Sequence, residues 1–195
     1  RIKKVIETKK IFTENEENWQ YNSRIYHGEN IWLEYGEGYR LTIELIEQEV
    51  LENDGKNQDF YIYPYCFQIR HYIELRLKEI IWECKRLKSE EYNPKKDGHS
   101  LKTLWNKSRA ALKEIWKDEL LDVPDGVYDF IDELHTLDIK SDSFRYPINF
   151  NNESTLKGKE MINFKNLSEN FANVKSYLES ITDGISVLFD IRNNQ

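Results

Sequence analysis

Residues 63–87, YPYCFQIRHYIELRLKEIIWECKRL, constrain this chain more than any other stretch, because they read as one long helix with an apolar body and a polar line along it. Cys66, Ile69, Ile73, Leu77, Ile80, Cys84 and Leu87 recur at spacings of three and four, the stripe that a helix turns toward a core. Arg70, Glu74 and Lys78 stand four apart, so they stack on one face of the same helix. A core stripe specifies packing, whereas a polar line beside it specifies either helix register or chemistry.

Helical periodicity continues through most of the chain. Residues 36–52 predict a helix with Tyr39, Ile43, Ile46 and Val50 on one face, closed by NDGKNQ at 53–58. The central helix is expected to begin near Pro64, since proline is tolerated in a first turn, and to run to about Ser89. A third helix is expected from about Ser100 to Lys117, burying Leu101, Leu104, Trp105, Ser108, Leu112 and Ile115. VPDG at 123–126 predicts a turn and Val127 to Leu137 a fourth, acidic helix. At the end, Leu167, Phe171, Val174, Leu178, Ile181, Ile185, Leu188 and Ile191 step by three and four, which predicts a long core helix.

Two regions break this period. DIKSDSFRYPINF, at 138–150, is dense in aromatic and β-branched residues around a proline and predicts an extended crossing. A second extended piece is expected at Thr155 to Met161, where KGKE would close a hairpin. Residues 1–12 read as a strand, an arm or a disordered lead, and 19–32 as a loop or short strand pair. The expected fold is therefore mainly α: an antiparallel bundle of four to five helices over 36–195, with a short extended or β-hairpin crossing near 138–161. An irregular arm over 1–35 precedes it.

Composition narrows the class. At 195 residues with five Trp, twelve Tyr and nine Phe, the chain has the size and aromatic content to bury one substantial core. No apolar run approaches the roughly 20 residues that span a bilayer, and RIKKVIETKK has no apolar stretch behind its charges, so a cytoplasmic protein without a membrane partner is expected. Cys66 and Cys84, roughly 27 Å apart along one helix, cannot pair with each other. The net charge of −7 is unevenly spread: residues 68–117 carry 13 Lys and Arg against 7 Asp and Glu, while both flanks are acidic. Such a basic segment offers a surface for a polyanion, but acidic and basic helices packed side by side account for it more simply.

RHYIELRLKEII, GHSLKTLW and DIKSDSFRYPIN, in that order, resemble an uncharacterised bacterial family with RHxxELxLK, GHxLxxLW and DxxSxxFRYP motifs. The similarity covers roughly residues 30–150. Through helix order and the ELxLK and GHxL elements, that group is in turn similar to the HEPN superfamily. These are all-α bundles found in RNA-cleaving toxins, abortive-infection proteins and noncatalytic nucleotide- or substrate-binding partners. The resemblance implies a stress or defence setting with RNA or nucleotide as partner. The ribonuclease motif of that superfamily is an Arg followed after four to six residues by a His, and no Arg here has a His at that distance. Arg192 and Asn193 match the first two positions of an RNxxxH sequence, whose His would lie past Gln195.

The remaining chemistry centres on the same polar line. His71 lies three residues before Glu74, close enough on a helix for a carboxylate to fix the imidazole tautomer and raise its basicity. His99 precedes a helix start, and Arg145 and Tyr146 sit on the crossing. One reading gathers Arg70, Glu74, Lys78, Arg145 and Tyr146 as binding residues, with His71 and His99 as catalytic candidates, around a phosphodiester. The structural alternative is an internal network in which Glu74 accepts from Arg70 and Lys78 while Arg145 ties the crossing to a helix. No cofactor is expected, and no metal, because Cys66, His71, Cys84 and His135 lack ligand spacing and the aspartates at 118–132 lack an EF-hand pattern. A noncatalytic binding module for nucleotide, RNA or protein is the first reading, and a metal-independent ribonuclease using His71 or His99 the second. Bundles of this kind pair through long helices, so a homodimer is expected.

Overall fold

The computed structural model describes residues 12–14, 16–25, 30–116 and 122–194. The expectation for residues 1–12 falls almost entirely outside them. The chain is mainly helical: α1 (Ile31–Leu51), α2 (Gln58–Leu87), α3 (Leu101–Trp116), α4 (Val127–Leu137) and α5 (Phe164–Asn193), with single 3-10 turns at Trp19–Tyr21 and Pro94–Lys96. Helix α2 lies at the centre and packs against α1, α3 and α5, while α4 closes the bundle against α3 and α5.

Central placement follows from the composition of α2. Cys66, Ile69, Ile73, Leu77, Ile80 and Cys84 are all buried, as the stripe predicts, and so are Tyr65, Tyr72 and Ile81 on its flanks. Both cysteines are free thiols, and burial pushes each up to about 12, so neither is a ready nucleophile. Around α2 the core is completed by Ile43 and Val50 of α1, Leu101, Leu104 and Leu112 of α3, Val127 and Ile131 of α4, and Phe171, Leu178 and Ile181 of α5.

Helix starts differ from expectation for identifiable reasons. α1 begins at Ile31, not residue 36, because Asn30 caps it by accepting from the Leu33 N–H at 3.0 Å. The Asn30 amide also donates to Glu79 at 2.8 Å and Glu83 at 3.0 Å, fastening the start of α1 to α2. α1 therefore takes in residues 31–35, which precede the helix expected from residue 36. Gly36, which looked like a helix boundary, is a contact: a Cβ there would stand 3.4 Å from Cδ of the buried Arg76. α2 begins at Gln58, so Pro64 lies inside the helix and not in its first turn. The amide donor it lacks would have served the Phe60 carbonyl; Phe60, Tyr63 and Pro64 are all exposed, where water supplies the missing partner.

At the crossing, the expected extended pieces give way to turns. Among the described residues there is no strand, only an isolated antiparallel bridge between Ile148 and Ser154. Asn149 N–H donates to the Glu153 carbonyl at 2.9 Å across that bridge. Thr155 to Met161 is turn and irregular backbone, with Gly158 at φ 83. In α5 the buried stripe drifts from Ile185 to Phe189, leaving Leu188 half-buried and Ile191 exposed. The large apolar residues that α5 leaves exposed are Val187 and Ile191. No helix among the described residues is long and apolar enough to cross a membrane.

Candidate functional site

Arg70 is among the largest fully buried side chains of the described residues. Its Nη1 donates to Glu74 Oε2 at 2.9 Å, one turn along α2. Its Nη2 donates to the His99 carbonyl at 2.7 Å, just before α3. Its Nε donates to the Asp138 carbonyl at 3.3 Å and stands 3.1 Å from Asp138 Oδ2, an ion pair without hydrogen-bond alignment. A single guanidinium thus joins α2 to the segment entering α3 and to the end of α4. An arginine does this better than a lysine because its donors leave a rigid plane in several fixed directions.

Glu74, itself buried, completes the arrangement. Its Oε1 accepts from Lys78 Nζ at 2.8 Å and from His99 Nδ1 at 2.7 Å. Burial is the strongest influence on its carboxyl and acts upward, but bonds from Lys78, His99 and Arg70 outweigh it and hold the group below its ordinary range. His99 is gripped twice, by its carbonyl and by its ring, and the ring is still 71% exposed. With Nδ1 engaged by the carboxylate, Nε2 is the ring nitrogen left for a ligand. Ser100, the next residue, caps α3 by accepting from the Thr103 N–H at 3.3 Å.

The crossing is organised from the same point. Asp138 Oδ1 accepts from the Asp142 and Ser143 N–H groups at 2.7 and 2.9 Å, curling 138–143 into a turn. Phe144 enters the core, and Arg145 emerges with its guanidinium 5.7 Å from the Phe67 ring and 5.7 Å from that of Tyr146. Among the described residues no carboxylate lies at ion-pair distance from Arg145. His71 sits half-buried, edge-on to Tyr39 at 4.6 Å and stacked near Phe67 at 5.8 Å. Burial lowers its pKa, with Glu74 pulling the other way, so the imidazole is neutral near pH 7.

Seven residues singled out by sequence therefore fall into three groups. Arg70, Glu74 and Lys78 are interior and paired with one another and with His99. His99, Arg145 and Tyr146 are exposed. His71 lies between the half-buried rings of Tyr39 and Phe67 and makes no hydrogen bond to Glu74, the contact expected from their spacing. The tie between the crossing and α2 runs through Arg70 and Asp138, while Arg145 adds only a ring contact. Asp138, Tyr39 and Phe67 were missed as parts of the site. Asp138 opens the DIKSDSFRYP motif, and that position was the one signal available for it.

Among the described residues, two ion pairs carry the basic segment to an acidic flank, Lys102 with Asp132 at 2.9 Å and Arg70 with Asp138 at 3.1 Å, whereas others, such as Arg76 with Glu79 and Lys107 with Asp97, lie within the segment. No group of His, Cys, Asp and Glu among the described residues is arranged to hold a metal ion. Arg192, where an RNxxxH sequence would begin, donates to the Arg86 and Leu87 carbonyls at 3.2 and 3.0 Å and so caps the end of α2. No family model matches this chain, and comparison with curated proteins and with solved structures finds no match.

Proposed function

We propose that this chain is a noncatalytic, HEPN-like helical module that binds the phosphate of a nucleotide, free or within an RNA strand, at the surface formed by His99, Arg145 and Tyr146. One observation carries the reading: a solvent-facing imidazole, that of His99, is held from beneath by a buried Glu74–Arg70 pair. Rigid presentation of donors lowers the ordering cost of binding an anion. Arg145 supplies charge, His99 a fixed ring nitrogen, and Tyr146 an exposed hydroxyl. Arg70 and Lys78 act as positioning residues, since both are buried and pair with Glu74 within the protein. The stress or defence setting rests on the resemblance alone.

The carboxylate–imidazole pair also favours a second reading, a metal-independent ribonuclease using His99. His71 suits a second proton-transfer role poorly, because its described ring contacts are to Tyr39 and Phe67 and no hydrogen bond orients it. Fluorescence anisotropy with a short labelled single-stranded RNA, followed by electrophoresis of the same samples, tests both. The expected outcome is intact RNA, with Arg145→Ala and His99→Ala each weakening binding about tenfold, or ~1.4 kcal/mol. Competition by mononucleotide would identify the free nucleotide as ligand. Cleavage that disappears in His99→Ala would replace the binding reading by the enzymatic one. Absence of saturable binding, or variants indistinguishable from the parent, would remove the site.

A further inference from the structure

His99 carries a chemistry that anion binding does not use. Glu74 accepts from Arg70 and Lys78 as well as meeting the His99 ring, and those cations keep it a carboxylate, which can only accept. Nδ1, 2.7 Å from that carboxylate, is therefore the protonated nitrogen, and the lone pair of the neutral ring lies on Nε2. Nε2 makes no hydrogen bond among the described residues, and the side chain is 71% exposed. Arg70 grips the carbonyl of the same residue, so main chain and ring are both held while Nε2 is left free. The other described histidines lack this arrangement. His71 packs against the rings of Tyr39 and Phe67, and Nδ1 of His135 is buried without a partner.

We propose that His99 Nε2 is a phosphoryl acceptor, modified by a small acyl phosphate. The Nε2 lone pair attacks phosphorus, an N–P bond forms as the P–O bond to the acyl group breaks, and the carboxylate leaves with the bonding pair. No proton moves. The ring becomes an imidazolium whose Nδ1–H still donates to Glu74, and that carboxylate offsets the charge developing on the ring. The same bond keeps Nδ1 from competing as the nucleophile. An acyl phosphate suits this arrangement because its carboxylate departs without a proton, and Lys78, buried against Glu74, is not free to give one. The inference goes beyond the phosphate-binding reading and does not depend on it, since phosphoryl uptake needs only Nε2 and Glu74.

Acetyl phosphate is the probe. The full chain is incubated with it at neutral pH and followed by intact-mass spectrometry and by peptide mapping under alkaline conditions, which preserve N–P bonds. Phosphorus NMR then distinguishes Nε2 from Nδ1 modification. The expected result is one phosphoryl group on His99 Nε2, absent from His99→Ala and lost on acidification. His99 should be labelled at least about tenfold faster than the free peptide KDGHSLK, which carries residues 96–102 without Glu74. Glu74→Gln keeps an acceptor for Nδ1 but not the charge, so it should lose that advantage. Circular dichroism shows whether this variant folds, and the peptide comparison decides the matter if it does not. Labelling of His71 or His135 as fast as His99, modification at Nδ1, or a rate no greater than the peptide's overturns the inference, as does a folded Glu74→Gln labelled at the parental rate. RNA binding without any labelling would remove this acceptor while the phosphate site stands.

Discussion

Glu74 collects three donors on two oxygens inside a bundle where an unpaired charge would be severely penalised. Removing it leaves Lys78 without a carboxylate and Arg70 with only the unaligned Asp138 pair, and breaking a buried pair from one side costs more than the pair contributes on balance. Glu74→Ala is therefore expected to lose about 3–5 kcal/mol in urea unfolding, and Glu74→Gln less, because the amide oxygen still accepts. A loss under about 1 kcal/mol, typical of exposed pairs, would show that the network does not hold the bundle. The i, i+4 spacing of Arg70, Glu74 and Lys78 was legible because one helix period sets it. The bonds from Arg70 to Asp138 and His99 were not, because they join residues 68 and 29 positions apart. For the same reason, pairing His71 with Glu74 was the natural local choice, and His99 took that role from another element.

Between elements, close approach is set by small residues. Gly184 on α5 faces Trp116 at the end of α3, where an added Cβ would fall 2.9 Å from Cζ2 of the indole. Alanine in a helix interior is favoured over glycine by about 1 kcal/mol, whereas overpacking costs about 1–3 kcal/mol. Gly184→Ala is expected to destabilise the native chain but to stabilise a Trp116→Leu background by about 1 kcal/mol. A double-mutant cycle on chemical unfolding reads this directly, and additive effects would refute a shared contact. Gly36 against Arg76 is a second close approach, hidden from sequence because a lone glycine in a helical pattern reads as punctuation. Asn30 was hidden similarly: a helix cap is recognised from the helix it starts, and Gly36 had moved that start.

For the molecule as a whole, buried ionisable groups make stability depend on pH in opposing senses. His71 is held below its ordinary 6.5, chiefly by burial, so the unfolded chain takes up a proton first as pH falls and stability drops from about pH 6.5 downward. Burial raises Glu79 and Glu83 above 4.5, so the folded chain protonates first there and stability rises as pH falls through their folded values. Glu74 is lowered, and its contribution, present above 4.5, is lost as pH falls through its folded value. Replacing His71 by Gln isolates the first effect: between about pH 7.5 and about 5.5, the urea midpoint of His71→Gln should decline less than that of the parent. Parallel declines would mean that His71 titrates alike in both states. By itself the sequence determined that the chain is helical, which face of each long helix is buried, and that a polar line runs along the central one, because periods of three and four are local properties of a helix. Only the tertiary structure decided which partners that line meets: His99 and Asp138 approach Arg70 through the packing of α3 and α4, and Phe67 meets Arg145 through a turn held by Asp138. Those distances depend on how helices far apart in the chain settle against one another, and no spacing within a single segment encodes them.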